Sequence, residues 1–272
     1  MIRQFYIKNS NGEMLNLNEI EHFFMDPSGL GTEHKFTFEQ VGNYFLQTGN
    51  NISQKKIDGK IFIKTYSEYR DFARFCMYNP MTLVYSTDET YNIEVKLQQL
   101  EKTEKEVGGL YCRIRLISNG MWYKAIESQN SGTEEGKKYD YEYNYTYTNS
   151  AASTIEADID SLHDAPTKLT IFGPASNPSW EHRVNGLVDT TGKVNVTIPS
   201  GKKLVIDTTE IPYSIILSDS SGENPQNVYQ YSDFSTKRFI KMKNGRNVVR
   251  ISHEGSNELR LSLERREMYE TI

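Results

Sequence analysis

Hydrophobic and polar residues alternate along two neighbouring segments of the chain. In residues 91–98 the odd-numbered positions are mostly apolar, and in residues 110–117 the even-numbered positions are apolar. A period of two is typical of a half-buried β-strand. The connection between them, EKTEKEVGG at residues 101–109, carries mixed charges and paired glycines, which favour an exposed loop. We therefore predict an antiparallel strand pair with a long solvated tip.

The residues before this pair predict further strands. Asn11-Gly12 lies between two short apolar runs and is typical of a hairpin turn. The segment HKFTFEQV at 34–41 and the segment 57–64 both alternate as strands do. Residues 42–51 are rich in glycine and asparagine, so we predict a loop there.

One helix is predicted in the first half. Thr65 and Glu68 have the spacing of a capping box, in which each side chain satisfies a free backbone N–H of the first turn. Apolar residues then recur at helical spacing up to Cys76, and Asn79-Pro80 ends the helix because proline lacks a backbone donor. A strand at 81–85 follows, so a single helix lies among many strands.

The second half has the pattern of an all-β domain. A polar, glycine-containing run at 129–138 indicates a boundary, and we predict domains 1–133 and 134–272. Short alternating segments recur beyond it, separated by turn-like sequences, which is typical of a β-sandwich or jelly roll. These segments are 169–171, 194–198, 204–206, 215–217, 249–251 and 259–263. The predicted fold class is mainly β.

Five tyrosines alternate with polar residues between Tyr139 and Tyr147. Two interpretations stay open. Alternating aromatic side chains can form a stacking platform for bases or sugars. They can equally form an aromatic face that is buried against a neighbouring sheet.

Charge and composition exclude several classes of partner. The chain has 31 basic and 36 acidic residues, a net charge of -5, so no general positive charge attracts nucleic acid or anionic lipid. We predict no nucleic acid and no membrane as partners. No apolar run reaches the ~18 residues of a membrane span, and we expect a soluble protein that matures without secretion. Cys76 and Cys112 are expected to be inert buried thiols.

A search for catalytic and metal-binding motifs finds none. GxGxxG, GxxxxGK[ST], GxSxG and HExxH are all missing from the sequence, and the five histidines are scattered. Asp158, Asp160 and Asp164 cluster near His163 without the glycine and glutamate of an EF-hand loop. We therefore predict no catalytic residue, no metal and no cofactor. Trp180, in NPSW, is either a core residue or a carbohydrate contact in a lectin-like sandwich.

The order of the predicted elements resembles a known family. IDGKIFI, a helix with YRDFARF, PMTLVY, YNIEVKLQQLEKTE and a return strand ending in MWY resemble the N-terminal domain of the distal tail protein of long-tailed, non-contractile phages. TKLTIFGPASNPSW, GKVNVTIPSGKKLVIDT, NGRNVVRIS and LRLSLERREMY are similar to the C-terminal domain of that family. Together these segments cover nearly the whole chain.

This resemblance implies a structural role and no enzymatic activity. It implies an N-terminal β domain with one helix that assembles into a homo-hexameric ring, and an outer galectin-like C-terminal sandwich. The ring would bind the tail tube protein on one side and the tail-associated lysin or fibre hub protein on the other. The implied location is the distal tail tip of the virion, after assembly in the bacterial host cytoplasm.

Lys102 and Glu104, in the solvated tip, are our candidate assembly contacts, because a ring closes strand edges that a monomer leaves exposed. Two alternatives come from other classes of protein. A carbohydrate-binding module or adhesin would bind cell-wall sugars through Trp180 or the tyrosines. A cell-wall hydrolase would need two carboxylates at a fixed separation.

Overall fold

The structure, a computed structural model, describes residues 3–130, 152–255 and 259–272. Within these ranges the protein is mainly β with one α-helix, as predicted. The helix is α1 (Tyr66–Phe75), and a 3-10 turn spans Tyr229–Tyr231. The strands are β1 (Gln4–Lys8), β2 (Met14–Asn16), β3 (Asn18–Glu19), β4 (His22–Ser28), β5 (His34–Val41), β6 (Tyr44–Ile52), β7 (Lys56–Ile63), β8 (Met81–Ser86), β9 (Thr90–Leu100), β10 (Leu110–Ser118), β11 (Trp122–Asn130), β12 (Ala152–Ile159), β13 (Ala165–Phe172), β14 (Ala175–Ser176), β15 (Ser179–Val184), β16 (Leu187–Lys193), β17 (Thr197–Ile198), β18 (Lys202–Asp207), β19 (Ser214–Asp219), β20 (Gln226–Asn227), β21 (Lys241–Met242), β22 (Gly245–Ser252) and β23 (Arg260–Tyr269).

The chain divides into two compact units. Unit 1 comprises Met1–Lys124 and Tyr269–Ile272, and unit 2 comprises Ala125–Met268. The predicted boundary between residues 133 and 134, and the tyrosine segment 139–147, lie outside the described residues. Within the described residues, no helix has the length and apolar character needed to cross a membrane.

Unit 1 is built on antiparallel strands in the order β2-β1-β8-β9-β10-β7-β4-β3. The long strand β9 pairs with β8 along its first half and with β10 along its second half. The predicted β9–β10 pair and the predicted β1–β2 hairpin are both confirmed. Alternate residues of these strands form one apolar core, in which Cys76 and Cys112 are buried free thiols, as expected.

The capping box at the start of α1 is confirmed. The backbone N–H of Glu68 donates to the Thr65 hydroxyl at 3.2 Å, and the backbone N–H of Thr65 donates to the Glu68 carboxylate at 3.0 Å. Phe72 and Phe75 are buried against the core of unit 1. Only two residues, Lys64 and Thr65, separate β7 from the helix, and the capping box satisfies the first free N–H groups of the helix.

The predicted loop at 42–51 is wrong, because β6 occupies most of it. Val41 pairs with Tyr44 across a two-residue turn, and Gly42 has φ +63°. A glycine with positive φ at the first position of a two-residue turn is typical of a type II′ hairpin. The sequence of β6, YFLQTGNNI, is an apolar run followed by polar residues, so it lacks the alternation that marks a half-buried strand.

Unit 2 contains two larger antiparallel sheets and the short β14–β17 pair, which share one apolar core. One sheet has the order β20-β19-β18-β13-β23, and the other has the order β12-β22-β15-β16. Inward side chains of both sheets, including Leu169 and Ile251, meet in that core, so the predicted β-sandwich is confirmed. The predicted strand at 194–198 is shorter than expected, because only Thr197–Ile198 is a strand and Val194 makes an isolated bridge to Ser232.

Candidate assembly surface

The solvated tip, residues 101–109, packs on the first turn of α1. The Tyr66 hydroxyl donates to the Glu104 carboxylate at 2.8 Å, and the backbone N–H of Lys105 donates to the same hydroxyl at 3.2 Å. The ammonium of Lys102 lies 5.4 Å from the centre of the Tyr66 ring, within cation–π range. The structure therefore brings both candidate contact residues, Lys102 and Glu104, to one exposed tyrosine. Their role in assembly stays a prediction.

Strand register explains why the tip meets the helix. Leu110 at the start of β10 lies opposite Ile63 at the end of β7, so the tip leaves the sheet beside the start of α1. Gly109 permits this approach, since a Cβ there would lie 2.6 Å from the Ile63 carbonyl oxygen. The hydrogen bond to Glu104 raises the pKa of Tyr66, because the neutral phenol is the form that donates.

The exposed hairpin, formed by β5 and β6 at residues 34–52, is a second candidate contact surface of unit 1. In the described part of the chain, β5 and β6 pair only with each other. Seven of its apolar side chains are between 37% and 80% exposed, and these are Phe36, Phe38, Val41, Tyr44, Phe45, Leu46 and Ile52. Sequence reasoning found β5 but missed this surface, because it assigned β6 to a loop.

Apolar side chains occupy both faces of the exposed hairpin. On one face the rings of His34, Phe36 and Phe38 follow each other, with centroids 5.9 and 6.3 Å apart. On the opposite face near the turn, Val41 pairs with Tyr44, and both are exposed. A monomer thus leaves both faces of a two-stranded element in water, an arrangement that is marginally stable by itself.

Trp180 is a core residue of unit 2. Its side chain is 3% exposed, and its indole N–H donates to the Arg238 carbonyl at 3.0 Å. Its ring packs against Gly192, where a Cβ would come within 2.4 Å of the indole. The structure therefore places Trp180 in the sandwich interior, and its predicted contact with sugar stays untested.

A polar network is buried beside this core. The His182 ring is fully buried, with Nε2 2.9 Å from the Asn247 side-chain oxygen and Nδ1 3.5 Å from the Asp189 carboxylate. Burial acts to raise the pKa of Asp189, but hydrogen bonds from Lys243 and Thr190 and the charge of Lys243 outweigh burial and lower it. Neither nitrogen of His182 faces solvent, so this His–Asp pair is a structural network and lacks access to a substrate.

The acidic cluster at residues 158–164 forms no metal site in the structure. Across residues 3–130, 152–255 and 259–272, no three His, Cys, Asp or Glu side chains come together as metal ligands would. In the described residues, the exposed hairpin of unit 1 combines free strand edges with clustered apolar side chains, which suits it to a protein contact.

Comparison with known proteins agrees with the resemblance found in the sequence. Residues 4–119 match the family described as distal tail protein, N-terminal domain. A comparison with curated protein sequences gives no significant match.

Two solved structures share the fold along the chain. A chain of the phage P2 baseplate in its activated conformation with calcium has a TM-score of 0.70 and 16% identity, and covers 100% of both chains. The Dit protein of phage SPP1, described as a paradigm of the hub adsorption apparatus in phages that infect Gram-positive bacteria, has a TM-score of 0.61 and 7% identity. That match covers 97% of this chain and 99% of the SPP1 protein. Residues 4–119 therefore match the N-terminal domain of the phage distal tail proteins, the family that the sequence resembles.

Proposed function

We propose that this protein assembles through unit 1 into a hexameric ring at the distal tip of a phage tail. In this role it joins the tail tube protein to the tail-associated lysin or fibre hub protein, and it acts as a structural component without enzymatic activity. The ring forms in the cytoplasm of the bacterial host and remains at the tail tip of the virion. The match of residues 4–119 to the N-terminal domain of distal tail proteins and the fold shared with the P2 and SPP1 proteins support this proposal.

The exposed hairpin is the observation that carries the proposal. Burial of apolar surface contributes roughly 25 cal/mol of stabilising free energy per Å². Burying the seven exposed apolar side chains of the hairpin against a neighbouring subunit would therefore favour association strongly. A contact between two different surfaces of identical subunits repeats around a ring until the ring closes. The hairpin of each subunit supplies one of these two surfaces, and its free edges offer backbone groups for pairing.

The resemblance, and not the geometry of one chain, sets the number of subunits at six. Mass measurement in solution by native mass spectrometry tests that number, and negative-stain images test for a closed ring. We expect a single species of six chains, alone or after addition of the tail tube protein. A protein that stays monomeric with and without that partner would contradict the proposal.

Substitutions on the hairpin test which surface is used. Phe45→Glu and Leu46→Glu place charges on side chains that are 71% and 60% exposed, so they leave the fold intact and block an apolar contact. The matched control is Leu162→Glu, which changes a 93% exposed leucine of unit 2. We expect the hairpin variants to lose the ring and the control to keep it.

The carbohydrate-binding alternative has no exposed tryptophan to support it. Both tryptophans of the chain are described, and Trp122 and Trp180 are 0% and 3% exposed. Direct binding of cell-wall sugar by this chain therefore stays a prediction for glycan-array measurement.

A further inference from the structure

The segment Tyr269–Ile272, here called the strap, belongs to unit 1 and contacts the root of the exposed hairpin. The Lys55 ammonium donates to the Glu270 carbonyl at 2.6 Å and also to the Gly31 carbonyl. The Glu270 carboxylate lies 3.1 Å from Nε2 of His34, the first residue of β5. One strap residue therefore contacts both chain segments that enter and leave the hairpin.

Lys55 connects three segments that are distant in sequence. It follows β6, whereas Gly31 precedes β5 and Glu270 lies in the strap. The residue is 6% exposed, and burial lowers its pKa, although the nearby Glu270 charge opposes this effect. Burying an ammonium group costs free energy unless hydrogen-bond acceptors surround it. The Gly31 and Glu270 carbonyl groups provide these acceptors, so the Lys55 side chain links the two segments that carry them.

The strap itself is fixed to unit 1 by aromatic contacts. The rings of Tyr269 and Tyr91 meet edge to face with centroids 5.4 Å apart. The Lys124 ammonium lies 4.9 Å from the Tyr91 ring centre and 5.1 Å from that of Tyr269. Tyr269 and Ile272 also pack against the core of unit 1. The strap is thus a fixed support for the hairpin root.

The hairpin depends on this support because no neighbouring strand fixes its direction. In the part of the chain that the structure describes, β5 and β6 have no ladder partner except each other. Their root is closed by the backbone N–H of Ser53, which donates to the Glu33 carbonyl at 2.8 Å. His34 also begins the aromatic row that continues with Phe36, so the contact with Glu270 lies next to the apolar face of the hairpin.

We propose that the strap, through Glu270 and Lys55, is a positioning device that sets the direction of the exposed hairpin and thereby makes unit 1 competent to assemble. The inference rests on the proposed function, because it assumes that the hairpin is the contact surface. In this proposal, residues 269–272 control assembly through contacts inside unit 1. A subunit with a released strap keeps its fold, but its hairpin samples many directions.

Hydrogen exchange of the full chain tests the positioning step without any need for assembly. Glu270→Ala removes the contact with His34, and Lys55→Met removes both ammonium hydrogen bonds while it keeps the aliphatic stem. We expect the amides of residues 34–52 to exchange about fivefold faster, or more, since one net hydrogen bond is worth about that factor. Glu156→Ala, which breaks the exposed Glu156–Arg246 pair of unit 2 at 2.8 Å, is the matched control.

Assembly is then measured on the same variants. We expect the concentration at which half of the chains are in rings to rise about tenfold for Glu270→Ala and to stay unchanged for Glu156→Ala. Unchanged exchange of residues 34–52 in Glu270→Ala would overturn the inference, and so would unchanged assembly. If Lys55→Met does not fold, Glu270→Ala alone decides. If the wild-type chain forms no ring, with or without the tail tube protein, the proposed function fails, whereas the exchange measurement still tests the role of the strap.

Discussion

The hydroxyl of Tyr66 donates a hydrogen bond to the carboxylate of Glu104 at 2.8 Å, and this bond links the first turn of α1 to the solvated tip. This contact changes how the tip is tested. Alanine at Lys102 and Glu104 removes two charges and also releases the tip from the helix. A loss of assembly would then have two explanations, direct contact and tip order.

Tyr66→Phe separates these explanations. It removes both hydrogen bonds of the Tyr66 hydroxyl and leaves the charges of Lys102 and Glu104 in place. If those charges contact a neighbouring subunit, the Lys102→Ala/Glu104→Ala variant should weaken the ring, and Tyr66→Phe should assemble normally. Hydrogen exchange of the Lys105 amide should be faster in Tyr66→Phe, which would verify that the tip is no longer bound to the helix. Full assembly of the double alanine variant would exclude the tip as a contact.

The capping box gives a prediction for the stability of α1. Thr65→Ala removes the side-chain acceptor of the Glu68 N–H and should lower the free energy of unfolding by about 1 kcal/mol. Ser67→Ala changes an exposed residue of the same turn and is the control. Urea unfolding followed by circular dichroism measures both, and equal stability of the two variants would contradict the role of the cap.

Residue pattern predicted the elements whose two faces differ in burial. Strand β10 alternates between buried and exposed residues, and the capping box is a local signal, so both were found. Strands β5 and β6 are both exposed on both faces, but only β5 has a sequence in which apolar and polar residues alternate, so β5 was predicted and β6 was not. A Gly-Asn pair at residues 42 and 43 was the one local signal for this hairpin.

The candidate site was predicted only in part, because its contacts join distant residues. Lys102 and Glu104 were chosen for exposure and charge, but their shared partner Tyr66 is 38 residues from Glu104. The Lys55–Glu270 contact spans 215 residues and depends on the path of the whole chain. No periodicity or motif encodes such a separation, so these contacts required the structure.

Trp180 should contribute to stability and not to ligand binding. Trp180→Ala empties a buried site and should cost about 3–5 kcal/mol, while Trp180→Phe keeps a ring but leaves the Arg238 carbonyl without its donor. Denaturant unfolding of both variants measures these costs. A Trp180→Ala protein with wild-type stability that lost binding to a glycan would show that the indole is a ligand contact.

Cys76 makes unit 1 sensitive to alkaline pH. Burial raises the pKa of its thiol from 9.0 to about 12, since a thiolate is poorly solvated in the apolar core. Above pH 9 the unfolded chain ionises this thiol and the folded chain does not. The folded state therefore has its full stability below the unfolded pKa, and stability falls as pH rises toward the folded pKa.

The size of this loss follows from the two pKa values. A difference of three pKa units corresponds to a loss of about 4 kcal/mol in the free energy of unfolding. This loss is nearly complete at about pH 12, and about half of it has occurred by about pH 10.5. Cys76→Ala removes the thiol, so its free energy of unfolding should fall less steeply with pH over this range. The difference in slope between wild type and variant isolates Cys76 from the tyrosines and lysines that titrate in both proteins. Parallel pH profiles in urea unfolding would mean that the thiol ionises in the folded chain as easily as in the unfolded one.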